Sequence, residues 1–184
     1  MMLPTAADGA APVRVSLPHH LEALEQSVAE LIANSCACAA ILSGHEPSSP
    51  VARACHSYGE SLGMCMELMG EADEVEAAAR KCRRHPAKLL QLLPTTASTP
   101  LILAAEHAPA SATWLHADSG AASTAASAAA YELLEQSSAV RRTRELAAEY
   151  AQTAADSLGA LPNSATRDAL LVLCHKILNG APLK

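Results

Sequence analysis

Apolar residues recur at helical spacing along most of the chain. Leu21, Leu24, Val28, Leu31, Ser35, Cys38 and Leu42 keep a 3–4 spacing, which predicts one helix face sustained over about six turns. Pro18 suits its first turn, with Ser16 or Leu17 near the cap, and Gly44 closes it. The run Glu46-Pro47-Ser48-Ser49-Pro50 reads as a turn, with Ser49 as N-cap and Pro50 as first helical residue. A second helix carries Val51, Ala54, Cys55, Tyr58, Leu62, Cys65, Met66 and Met69 on one face. Gly59 and Gly63 lie one turn apart and would permit a close helix crossing. The pattern runs on through an acidic stretch, 67–76, and fades near His85-Pro86.

Segment 88–100 contains Pro94 and a Thr/Ser cluster, which predicts a loop with at most a short helix. Thr99-Pro100 opens a short apolar helix over 101–107, and 109–120 is an irregular linker. An Ala-rich helix is predicted over 119–136, and another over 138–158 with Val140, Leu146, Tyr150, Ala154 and Leu158 on one face. Pro162-Asn163-Ser164 is a turn with a cap, leading into a last helix over 165–178. The expectation is an all-α bundle of about six helices with short connections. Residues 17–180 form the helical domain, 1–16 a disordered tail and 181–184 a second tail.

Composition sharpens this picture. Half of the 184 residues are hydrophobic, yet there is no Phe, one Trp and three Tyr. Ala, Leu and Met must therefore supply nearly all of the buried area. Ala favours helix, and the β-branched and aromatic residues that strands prefer are scarce. The net charge of −6 speaks against a nucleic-acid partner. The one dense basic cluster, Lys81, Arg83, Arg84 and His85, reads as a solvated helix end whose cations complement the macrodipole. No stretch approaches the roughly 20 apolar residues of a transmembrane segment. The first residues lack the apolar core of a secretory signal, and an organelle-targeting character there is weak. The six cysteines fall mostly on apolar helix faces, as expected of reduced core thiols.

Candidate chemistry is sparse. There is no phosphate-binding glycine loop and no nucleophile elbow. Cys36 and Cys38 project roughly 200° apart on a helix, and Cys55-His56 and Cys174-His175 are adjacent residues on different faces, so none converges on a metal. The acidic run is more suggestive. Glu67, Glu71 and Glu74 share one helix face, while Asp73 points elsewhere. Carboxylates so placed can hold Mg²⁺ against a diphosphate, although spacing alone favours a solvated acidic face.

The order of several short motifs resembles the C-terminal half of the trans-polyprenyl diphosphate synthases. They are Glu30 to Cys36 followed by Ala39-Ala40-Ile41-Leu42-Ser43-Gly44, then Tyr58-Gly59-Glu60-Ser61-Leu62-Gly63, then Thr99-Pro100-Leu101-Ile102. The tail matches most fully: Arg142-Thr143-Arg144-Glu145-Leu146-Ala147, Tyr150-Ala151, Leu161-Pro162, Ser164 and Arg167. Members of that family ionise an allylic diphosphate and extend it with isopentenyl units, using Mg²⁺ held between two aspartate-rich motifs. By the resemblance, the second motif falls on Met66 to Glu74, with Gly70 in place of its first aspartate, Glu71 of its second and Glu74 of its third. The first motif would lie upstream of residue 1. The resemblance thus implies an eroded metal site at Glu67, Glu71, Asp73 and Glu74, with no catalytic residue and no metal or other cofactor of the chain's own. It is most similar to the non-catalytic second subunit of decaprenyl or solanesyl diphosphate synthases. That implies a catalytic synthase subunit as partner, with Mg²⁺ in that partner, and a mitochondrial place in making the ubiquinone side chain. An active synthase of which this is a part, and a helical interaction module of a larger assembly, are the alternatives.

Overall fold

The computed structural model describes residues 16–109, 112 and 123–179. The expected tails, save Ser16, most of the expected linker 109–120, and Trp114 lie outside the described residues. Seven α-helices make up the described chain: α1 (Leu17–Leu24), α2 (Glu30–Leu42), α3 (Pro50–Cys82), α4 (Thr99–His107), α5 (Thr124–Ser137), α6 (Ala139–Ser157) and α7 (Ala165–Leu178). A π-helical turn, Glu25–Ala29, joins α1 to α2, and 3₁₀ turns lie at Pro86–Gln91 and Leu158–Ala160. No strand occurs among the described residues, in keeping with the all-α expectation.

The predicted ends are where local chemistry puts them. Ser49 Oγ accepts from Ala52 N at 3.1 Å with Pro50 at the first helical position, and Gly44 takes φ +94 after α2. Ser164 Oγ accepts from Arg167 N at 3.2 Å at the start of α7. The Ala-rich helix α5 begins at Thr124, with Ser123 Oγ accepting from Ala126 N at 3.1 Å. Between α5 and α6, Ser138 bends the chain in one residue by adopting φ 53, a left-handed conformation rare for a residue with a Cβ.

The 33-residue α3 is the spine of the molecule. α2 runs back along one side of it and α6 along another, while α7 closes over its first half. The α2 contact is unusually close. A Cβ on Gly59 would stand 2.7 Å from Ile32 O, and one on Gly63 would stand 2.6 Å from Ala29 Cα. These glycines do permit the close crossing expected of them, with the buried Ala29, Ala33 and Ala40 seated against α3.

Here the structure corrects the predicted face. Leu21 and Leu24 do pack on the core, but Val28, Leu31, Ser35, Cys38 and Leu42 are exposed, Leu31 by 68% and Leu42 by 88%. The π turn is the reason. It inserts one extra residue, so the inward face passes from Leu24 to Ala29 and continues through Ala33, Cys36 and Ala40. Met66, placed on the inward face of α3 by its spacing, is likewise partly exposed.

The same preference for small residues recurs on α6, which buries Ala139, Thr143, Ala147, Ala151 and Ala154, while Val140, Leu146 and Tyr150 are only half-buried. Small side chains let the helix backbones approach and gain many weak dispersion contacts. Thr143 stays satisfied in this seam by donating to Ala139 O at 3.0 Å. The short helix α4 is apolar all round and buried from Thr99 through Ala105. It sits against α1, α5 and α6 as a central plug, and its first residue lies beside the acidic stretch of α3.

Candidate functional site

The acidic run lies on the middle of α3. Leu68, Met69, Ala72 and Val75 face inward there, which leaves Glu67 partly buried at the edge, Glu71 largely buried and Asp73 and Glu74 exposed. Glu67, Glu71 and Glu74 do share one side: burial pushes the Glu67 carboxyl up, and the charges of Glu71 and Glu74 push it further. Asp73 points elsewhere, toward α6.

Glu71 is the best-connected of the four. Its Oε1 accepts from His20 Nε2 of α1 at 2.9 Å, and its Oε2 accepts from the backbone N of Thr99 at 2.9 Å. Both His20 and Glu71 are largely buried, with side-chain exposures of 12% and 14%. Burial alone would raise the Glu71 carboxyl. The hydrogen bonds from His20 and Thr99, and the attraction to His20, outweigh it and hold the group below its ordinary value. The Thr99 bond has a structural logic. Ser98 is the N-cap of α4 yet makes no side-chain cap, and Ser98 Oγ and Thr99 Oγ1 are buried without a partner among the described residues. Glu71 therefore caps α4 from another helix, with its charge at the positive end of the dipole. One carboxylate ties α1, α3 and α4 together.

Asp73 is engaged as well. Arg144 of α6 donates to Asp73 Oδ1 at 2.5 Å and to Glu76 Oε2 at 2.8 Å, and Glu76 also lies 3.6 Å from Arg80. A cavity of about 360 Å³ opens beside this pair, lined in part by Val75, Leu134, Val140 and Arg141. Its arginines already have acid partners, Arg141 with Glu145 and Arg144 with Asp73 and Glu76.

These placements bear on a magnesium–diphosphate site. Each Glu71 oxygen already accepts one hydrogen bond, from His20 or from the α4 terminus, which fixes the carboxylate's orientation toward those partners. Gly70 supplies no ligand. Among the described residues, no group of three His, Cys, Asp or Glu side chains has metal-binding geometry. The residues present on this ridge are a poor fit for Mg²⁺, whose octahedral shell is demanding. The absence of a carboxylate at position 70 is not forced by packing, because a Cβ there would meet nothing within 4 Å. Elsewhere, Cys65 and Cys174 lie in the core around Tyr58, whose hydroxyl donates to Leu170 O at 3.4 Å; burial pushes the Cys65 thiol up to about 11. These thiols are packing groups.

His20, Thr99 and Arg144 were not singled out as partners of the acidic run by sequence pattern. For Thr99 there is a signal after the fact: a helix start at Thr99-Pro100 whose own cap residue goes unused. His20 carries none, since nothing local relates positions 20 and 71.

No protein-family model matches the chain. Its relatives are trans-polyprenyl diphosphate synthases. It is 30% identical over 159 residues to solanesyl-diphosphate synthase 1 of Oryza sativa, a mitochondrial protein, an alignment of 85% of this chain and 35% of that one. It is 28% identical over 164 residues to decaprenyl-diphosphate synthase of Dictyostelium discoideum, an alignment of 89% of this chain and 35% of the relative. The chain thus spans about a third of the length of these curated relatives. Among solved structures, it resembles the apo form of an Arabidopsis medium/long-chain prenyl pyrophosphate synthase, with a TM-score of 0.72 and 26% identity over 90% of this chain and 56% of that one. A geranylgeranyl pyrophosphate synthase of Lactobacillus brevis gives a TM-score of 0.74 at 22% identity, over 89% of this chain and 50% of the other, a likeness of fold. The fold of the described chain is that of the all-α isoprenyl diphosphate synthases.

Proposed function

We propose that this chain is a non-catalytic subunit of a heteromeric trans-polyprenyl diphosphate synthase that supplies the ubiquinone side chain. The observation that carries the proposal is Glu71. In the position that the resemblance assigns to a metal-binding aspartate, its two oxygens are committed to His20 and to the α4 terminus. A carboxylate oriented by two partners within the fold, beside a glycine where a second ligand would stand, is poorly placed to hold Mg²⁺ against a diphosphate. Gly70, where a second ligand would stand, contributes none. The kinship to solanesyl- and decaprenyl-diphosphate synthases supports the substrate class, and the mitochondrial members among them support the compartment. The exposed apolar stripe on α2 supports a protein partner, in this reading the catalytic subunit.

The test is a reconstitution. The purified chain, given Mg²⁺, farnesyl diphosphate and isopentenyl diphosphate, transfers no isopentenyl unit. Co-expressed with a catalytic polyprenyl diphosphate synthase of the same organism, it co-purifies and raises the partner's turnover or changes its product length. Turnover by the chain alone would overturn the proposal. A second reading, a portion of an active synthase, is favoured by the partial span of the relatives. A transcript joining this sequence in frame to an upstream aspartate-aspartate-x-x-aspartate motif decides for it.

A further inference from the structure

We infer that the C-terminal tip of α3, with the 3₁₀ turn that follows it, docks on an anionic lipid surface. Residues 77–105 hold five of the thirteen Lys and Arg residues, Arg80, Lys81, Arg83, Arg84 and Lys88, and none of the nineteen acids. All five are exposed, as is His85 between them. Only Arg80 forms an ion pair among the described residues, a long one to Glu76 at 3.6 Å. Complementing the helix dipole accounts for Arg80 and Lys81 in the last turn of α3. It does not account for Arg84 and Lys88, because that effect fades within the last turn and these two stand beyond it.

An apolar contact adjoins the cations. Leu92, which caps the 3₁₀ turn, is 51% exposed although Leu89 and Leu90, between Lys88 and Gln91, are buried. Cations for headgroup phosphates next to a leucine at acyl-chain depth are the pairing by which peripheral segments bind acidic bilayers. An extended polyanion such as nucleic acid fits less well. The chain as a whole is acidic, and no aromatic side chain accompanies the cluster for base stacking. A planar surface can meet the tip alone, since α3 is about 50 Å long and charges more than about 10 Å away are screened. The acids of the packed neighbour α5 are Glu132 and Glu135, both exposed and neither paired with the cluster among the described residues.

The experiment is sedimentation of the full chain with vesicles of phosphatidylcholine alone and of phosphatidylcholine with about a third phosphatidylserine. The anionic vesicles bind at least tenfold more protein at 0.1 M NaCl, and the gain disappears at 0.5 M. An Arg83→Gln/Arg84→Gln/Lys88→Gln variant loses most of the gain with an unchanged circular-dichroism melt. Leu92→Ser lowers binding severalfold and leaves its salt dependence unaltered. Equal binding to both vesicles by the unmodified chain would overturn the inference. So would salt-sensitive binding to a poly(U) probe in the absence of any vesicle binding, or a triple variant that folds and binds as before.

Discussion

At the scale of single residues, Glu71 decides most. It is a largely buried carboxylate whose partners lie 51 and 28 positions away. Glu71→Gln removes the charge and one of the two acceptors; its oxygen can serve the α4 terminus, but its NH2 can meet His20 only in the tautomer whose Nε2 is unprotonated. The expected loss is about 1–3 kcal/mol at pH 7, measured by denaturant unfolding. The pH dependence follows from the sign of the shift. The folded carboxyl titrates below its unfolded value of about 4.3, so its contribution is complete above that value. It is lost as pH falls through the lower, folded value. The stability difference between the native chain and the Gln variant should therefore be flat from pH 7 to 5 and close below about pH 4. A difference that persists at pH 2.5 would mean the ionised carboxylate is not what stabilises. Position 70 gives the complementary prediction. Gly70 is helical, exposed and free of neighbours, so Gly70→Ala should stabilise by about 0.5–1 kcal/mol through helix propensity alone. A loss in the thermal or denaturant melt would show that a neighbour fills that space.

At the scale of elements, the caps were legible in the sequence and the faces were not always so. Ser49-Pro50, Gly44 and Ser164 act on residues within one turn of themselves, so a local reading reaches them. Faces are decided by what packs opposite. Along the π turn and α2 the large residues Val28, Leu31 and Leu42 suggest the seam, yet the close contact is Ala29 and Ala33 against Gly63 and Gly59, with Ala40 buried further on. The glycines were legible as a close-approach signal. Their partners were not, because an alanine in an alanine-rich chain carries little pattern and because the π turn shifts the phase without a sequence mark. The seam makes a sharp prediction. Gly63→Ala puts a methyl carbon 2.6 Å from Ala29 Cα, where only backbone displacement can make room. It should cost about 1–3 kcal/mol or more, opposite in sign to Gly70→Ala in the same helix. Equal melting temperatures for the two variants would contradict the packing of α2 on α3.

At the scale of the whole molecule, the all-α bundle was readable from periodicity and composition. The acidic site was readable only in part: spacing placed Glu67, Glu71 and Glu74 together, but the long-range bonds that engage Glu71 appear only in three dimensions. The displaced stripe then matters for function. Val28 of the π turn and Leu31, Cys38 and Leu42 of α2 stand exposed, away from the seam. A polar helix former in place of two of these leucines has little to lose within the chain. Leu31→Glu/Leu42→Glu should leave unfolding free energy within about 0.5 kcal/mol of the native chain, as substitutions on free surface do. Co-purification with the catalytic synthase subunit should fall at least thirtyfold, the effect of losing about 2 kcal/mol at an interface centre. The two readouts separate the cases. Destabilisation by several kcal/mol would mean the stripe is buried within this protein. Unchanged capture of the subunit would place the partner on another face, and would remove the support that α2 lends to a heteromer.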